Sequence, residues 1–190
     1  MEGCTRPAVS FRTTCWEHTS DQAALMEEIT SFFTENEMIK NLNLSGIPLR
    51  ETDLSGKSFF VCDFRNALFE GVDFTGSRFR MCFFDNSRFT GCRFREMDIK
   101  YTDMAGSALV SCDFSGSDLL HINFNGIRAE NCTFDDSDLY FSCFVSSVLK
   151  DTTFRDCNLK KVRFCESERE NVDFKYSNYE EAIFREEAVL

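Results

Sequence analysis

From Leu44 onward a large apolar residue returns at every fifth position without an insertion, through Leu49, Leu54, Phe59 and Phe64 to Phe184 and Val189. Of those thirty positions only Ala129 and Arg169 are neither large and apolar nor aromatic. A period of five matches neither the 3.6 of an α-helix nor the 2 of an ordinary strand. It requires a backbone that turns a corner every few residues, as in a tandem solenoid. Two residues before each of these centres stands a small or modest side chain, as at Cys62, Ala67, Val72, Ser77, Cys82, Ser87, Cys92, Ser107, Cys112, Ser117, Cys132 and Ser137. This pair is expected to point inward, and the other three residues of each five are mostly polar.

Folded at a period of twenty, the centres sort into columns. One runs Leu44, Phe64, Phe84, Met104, Phe124, Phe144, Phe164, Phe184, and the opposite one Leu54, Phe74, Phe94, Phe114, Phe134, Phe154, Phe174. The remaining columns are richer in Leu, Ile and Ala, so large residues face large ones across a narrow filled tube. Stretches such as Cys112-Asp113-Phe114-Ser115-Gly116 and Ser117-Asp118-Leu119-Leu120-His121 resemble the pentapeptide-repeat family, whose consensus is A(D/N)LXX. The resemblance covers residues 42–190. It implies an all-β solenoid, a right-handed quadrilateral β-helix with four pentapeptides in each square coil. About 7.5 coils at a strand spacing of about 4.8 Å make a rod on the order of 36 Å long.

Residues 1–40 do not join the repeat and are expected to form an N-terminal segment, with the β-helix over 41–190. Thr19 to about Thr34 reads as an amphipathic capping α-helix, with Thr19 and Gln22 placed as a capping box and Leu25, Ile29, Phe32 and Phe33 on one face. Its expected role is a lid over the first coil, whose backbone groups and centres would otherwise stand open. Val9, Phe11, Thr13 and Cys15 alternate like a short strand beside that coil. At the other end Arg185 to Leu190 is a short cap candidate, and pairing with a second copy across a two-fold axis is the alternative. Arg169, a charged centre, predicts a pentapeptide that bulges outward to solvent or a carboxylate. Ala129 predicts a gap in its column that Ile127 fills.

The start Met-Glu-Gly-Cys-Thr-Arg-Pro lacks the regions of a secretory signal, and no apolar run is long enough to cross a membrane, so a cytoplasmic location is the expectation. Six of the ten cysteines (Cys62, Cys82, Cys92, Cys112, Cys132, Cys157) occupy the inward slot and read as reduced, space-filling residues. His18 and His121 are the two histidines. With no Gly-rich phosphate loop, no nucleophile elbow and no Cys/His cluster at metal spacing, neither enzyme activity nor a metal or cofactor is expected. Function is therefore sought on the outer surface.

Three of the four corners, two residues past the centres, carry mostly turn residues such as Gly46, Asn66, Gly71, Gly91, Gly56 and Gly76. The fourth reads Val61, Met81, Tyr101, His121, Phe141, Lys161, with Phe60, Leu120 and Tyr140 one residue earlier and Phe83 just past the corner. A contiguous aromatic edge marks a partner-binding surface if it faces water. Coverage by residues 1–18, or a turn that aims these side chains inward, are the alternatives. A second candidate is an acidic face of Asp98, Asp118 and Asp138, stacked at coil spacing and flanked by Arg78.

The net charge is -11, of which residues 1–40 carry -4 and residues 166–190 carry -5, leaving -2 on the rod. An acidic total argues against nucleic-acid binding and for a basic partner. The family resemblance implies more. Its quinolone-resistance and mycobacterial fluoroquinolone-resistance members are dimeric acidic rods that mimic DNA and bind DNA gyrase and topoisomerase IV. The implied function is thus a DNA mimic acting on a type II topoisomerase, with homodimerisation. The alternative is an interaction scaffold using the aromatic edge. The chain departs from the quinolone-resistance branch in having no loop that interrupts its repeat.

Overall fold

The computed structural model describes residues 4–185. The repeat folds as a parallel β-solenoid of about seven coils with one N-terminal helix. On one side, three-residue strands Met38–Lys40, Ser58–Phe60, Arg78–Arg80, Asp98–Lys100 and Asp118–Leu120 stack in parallel. Their register pairs Ile39 with Phe59, Phe59 with Phe79, Phe79 with Ile99 and Ile99 with Leu119. The opposite side stacks seven strands from Pro48–Arg50 to Glu168–Glu170. The offset is twenty residues throughout, as the column reading requires. The remaining two sides are held by single bridges, such as Phe83↔Asp103 and Asp113↔Thr133.

Each corner is made by one residue with positive φ, the conformation that lets a three-residue strand end and the chain turn at once. The centres then meet inside the tube. Phe74, Phe94, Phe114, Phe134 and Phe154 stack ring on ring at centroid separations of 4.9, 4.3, 4.7 and 4.8 Å. The coil spacing imposes this offset-stacked geometry, which aromatic quadrupoles favour. Each ring also meets neighbouring columns edge-on, as Phe114 meets Phe124 at 6.2 Å.

The small inward residues have a second task. Ser87 Oγ donates to the carbonyl of Phe64 in the preceding coil, 2.8 Å away, and accepts the amide of Ala67 at 3.2 Å. Ser107, Ser117, Ser137 and Ser147 repeat the carbonyl contact on Phe84, Phe94, Phe114 and Phe124. These serines follow the corners on the two bridged sides, where the chain folds as a tight turn. After five corners of the two stranded sides the slot holds Cys62, Cys82, Cys92, Cys112 and Cys132, all buried and free of disulfides. Ser142 follows the stranded side, and there the strand has given way to a turn closed by the Ser142 amide on the Leu139 carbonyl at 2.9 Å.

The lid is helix α1, Gln22–Glu35, which buries Leu25, Ile29 and Phe33, the last edge-on to Phe59 at 6.1 Å. The expected capping box is corrected: Asp21 is the N-cap and accepts the Ala24 amide at 3.3 Å. Thr19 instead donates to the Cys15 carbonyl, and Gln22 reaches the Trp16 carbonyl. Residues 9–15 form a tight loop closed by the Val9 amide on the Thr14 carbonyl, not a strand. It docks on the first coil through Ser10, whose amide donates to the Asn43 carbonyl at 2.7 Å.

At the far end, Glu168–Glu170 stays in register, with Leu149 opposite Arg169, so the expected bulge does not occur. The Arg169 side chain is nevertheless exposed. Its guanidinium lies 4.8 Å from the Phe184 ring and donates to the Ser167 hydroxyl and the Phe164 carbonyl, taking a ring face and neutral acceptors in place of a carboxylate. Ala129 is buried in register between Leu109 and Leu149, with the fully buried Ile127 two residues away. The C-terminal cap candidate lies almost wholly outside the described residues.

Candidate interaction surface

The fourth corner faces water. Val61, Met81, Tyr101, His121, Phe141 and Lys161 all hold φ between 53° and 60°, which throws their side chains outward from the square section. Tyr101 is 63% exposed, Met81 53% and Phe141 41%. Because the residues recur at coil spacing, their rings form a ladder: Tyr101 stacks on His121 at 5.2 Å, and His121 on Phe141 at 5.2 Å. Lys161 closes it with Nζ 4.5 Å from the Phe141 ring. Tyr140 meets His121 edge-on at 6.1 Å, and Leu120 lies half-buried beside it. Phe83, past the corner, is exposed with the Arg65 guanidinium 5.9 Å from its ring. Among the described residues the N-terminal segment lies elsewhere, against Asn43, Ser45 and Gly46, so it leaves this edge uncovered.

A bulky L-residue in the left-handed region costs roughly 1–2 kcal/mol relative to glycine or asparagine. Eight other corners use glycine and several use Asn, Asp or Ser. Of the apolar and aromatic corners among the described residues, Val61, Met81, Tyr101, His121 and Phe141 share this edge, and Tyr176 stands on another.

The three aspartates also align, Asp98 beside Asp118 in the sheet and Asp118 bridged to Asp138. Their charge is unevenly offset. Asp98 is held by Arg80, by Arg78 at 3.3 Å and by Lys100 at 3.4 Å. Burial would raise its pKa, but the Arg80 guanidinium and the Lys100 ammonium together outweigh that and hold it below the usual carboxylate range. Asp138 accepts the Tyr140 amide and the Asn158 side-chain amide, and Asp118 is exposed. Elsewhere on the rod Asp63, Asp73, Asp113 and Asp173 are each paired with an arginine. Most of these aspartates also accept the amide two residues on, as Asp53 does from Ser55 at 2.9 Å, which explains the acidic second position of the repeat.

His121 stands on the outer edge between two rings and not in a pocket with acidic partners. One grouping escaped the sequence reading, which expected no metal position. Cys4, Cys15 and His18 bring their ligand atoms within 4.8 Å of one another at the N-terminal end. The local Cys-x-x-His at 15–18 was the available signal. Cys4 is eleven residues upstream of Cys15, and only the loop over residues 9–15 returns it there.

No helix among the described residues is long and apolar enough to cross a membrane. No curated protein matches the chain. Among solved structures, similarity extends to HetL, a pentapeptide repeat protein involved in heterocyst differentiation regulation in Nostoc sp. strain PCC 7120 (13% identity, 84% of this chain and 96% of that one, TM-score 0.36). It also extends to full-length QnrB1, a plasmid-mediated fluoroquinolone resistance protein (16% identity, 75% and 94%, TM-score 0.27). A third is a pentapeptide repeat protein of the Arabidopsis thaliana thylakoid lumen (20% identity, 65% and 68%, TM-score 0.28). The model of the pentapeptide repeat region matches residues 107–184, and that of pentapeptide repeats in eight copies matches 62–91 and 84–116. With these matches spanning the coils whose twenty-residue register is described above, the chain belongs to the pentapeptide-repeat family.

Proposed function

We propose that this protein is a non-enzymatic interaction scaffold that docks a partner protein on its aromatic edge, with Met81, Tyr101, His121 and Phe141 as the spine and Phe83, Leu120 and Tyr140 as the flank. The observation that carries the reading is the choice of large apolar residues at strained, positive-φ corners that face water. A corner needs none of that bulk, and stability alone would favour Asn or Gly there. Exposed rings pre-stacked at a fixed 5.2 Å lose little conformational freedom on binding, which is what makes aromatic anchors effective.

The test compares the full chain with Tyr101→Asp and Phe141→Asp as immobilised bait. Aspartate accepts the left-handed region, so both variants keep the native circular dichroism and melting temperature. A partner retained by the parent and lost by both variants supports the reading. A partner retained equally by all three overturns it.

The DNA-mimic reading, with DNA gyrase or topoisomerase IV as partner and a homodimer as the active form, draws on the acidic total and on family membership. The pairing of Asp63, Asp73, Asp98, Asp113 and Asp173 with arginines weighs against a continuous negative face. Its test is titration into a gyrase supercoiling assay alongside a solution mass. A monomer without effect at micromolar protein ends it.

A further inference from the structure

The N-terminal segment carries chemistry that neither the repeat nor the aromatic edge uses. Cys15 caps the short 3-10 helix Trp16–His18, and in such a helix residues three apart project from the same side. Cys15 Sγ and His18 Nδ1 accordingly stand 3.2 Å apart. Cys4 arrives from the other arm of the loop with its Sγ 3.7 Å from that of Cys15. The Arg6–Glu17 ion pair ties the two arms together one turn away, and the Cys15 carbonyl is fixed by the Thr19 hydroxyl at 3.1 Å.

From this geometry we infer that Cys4, Cys15 and His18 form a Cys2His site for a zinc ion. In a tetrahedral zinc site with Zn–S near 2.3 Å, two thiolates lie ~3.8 Å apart and a thiolate and an imidazole nitrogen ~3.5 Å apart. The sulfur pair already has that spacing, Cys15 Sγ and His18 Nδ1 need only a few tenths of an ångström, and Cys4 to His18, within 4.8 Å, closes by ~1.3 Å at most. A disulfide, by contrast, requires the sulfurs to close to ~2.05 Å. Two thiols and an imidazole are the donor set of a borderline-soft cation, unlike the oxygen ligands that magnesium or calcium take. Cys15 is buried whereas Cys4 and His18 reach the surface, so the ion has an entry path and solvent supplies the fourth ligand. Bound there, it staples residues 4–18 beside the lid, at the end of the rod where the stack of coils begins.

The experiment titrates cobalt(II), then zinc, into the full chain kept reduced with a non-thiol reductant. One equivalent of cobalt is expected to give tetrahedral d–d bands and thiolate charge-transfer absorption, and zinc to displace it with Kd below about 1 μM. Cys4→Ser, at an exposed position that leaves the core untouched, and His18→Ala are each expected to weaken binding by more than the ~10–100-fold that loss of an outer-shell partner costs. Cys112→Ser, in the buried stack, is expected to bind as the parent does. Absence of the bands in the parent overturns the site, as does their survival in Cys4→Ser and His18→Ala. Loss of binding in Cys112→Ser with its fold intact would move the ion into the stack and also refute the assignment.

Discussion

Ser117→Ala isolates the hydrogen-bonding role of the inward slot from its size. Ser117 is buried, and its hydroxyl serves two backbone groups of the preceding coil, donating to the Phe94 carbonyl at 2.7 Å and accepting the Met97 amide at 3.0 Å. Among the described residues the Met97 amide has no other acceptor, and Met97 is itself buried. The variant therefore loses one hydrogen bond with a net worth of about 1 kcal/mol and orphans a buried N–H at about 1–3 kcal/mol, together roughly 2–4 kcal/mol. Ser117→Cys keeps a weaker donor in place, as Cys92 Sγ does on the Phe69 carbonyl at 3.6 Å, and should lose less. Urea unfolding at unchanged m reads the free energy. Amide exchange at Met97 localises it, since coils couple mainly to their neighbours. A loss below about 0.5 kcal/mol, the range of neutral surface changes, with unaltered exchange at Met97, would refute the assigned role.

Two further substitutions probe the core and the surface charge. Phe114→Ala removes a fully buried ring stacked between Phe94 and Phe134 and should cost about 3–5 kcal/mol, read from the denaturation midpoint; a cost under 1 kcal/mol would mean the stack collapses freely. Asp85 has a buried, unpartnered Oδ2, and burial raises its pKa above the ordinary value. A carboxyl whose folded pKa is raised favours the fold below its unfolded pKa, and that contribution is lost as pH rises through the folded value. Asp85→Asn should thus melt higher than the parent at pH 7, with the gap narrowing toward pH 4, and equal melting at pH 7 would contradict the account.

The solenoid was legible because its period is a geometric necessity. A corner every five residues with one centre inside leaves no other way to bury Phe59 through Phe164, so column membership and register followed from counting. The aromatic edge was legible for the same reason, since Met81, Tyr101, His121 and Phe141 share a corner position. Local backbone chemistry was read less well. Thr19 and Gln22 fit a capping pattern that Asp21 fulfils, because the Cys15 carbonyl claims the Thr19 hydroxyl. Arg169 was expected to break its strand, yet the ladder to Leu149 holds the backbone and lets only the long side chain leave.

The sequence by itself determined the square coil, the residues inside it and which residues share the fourth corner, because all three depend on periodicity alone. Tertiary structure decided what periodicity cannot carry. It decided which corners close as tight turns, where serine is the commonest residue in the following slot and its hydroxyl answers backbone groups twenty or more residues away. It decided that the edge stands uncovered among the described residues, and it brought Cys4 to Cys15 and His18. Those outcomes rest on contacts between segments that share no repeat, and a one-dimensional pattern holds no record of them.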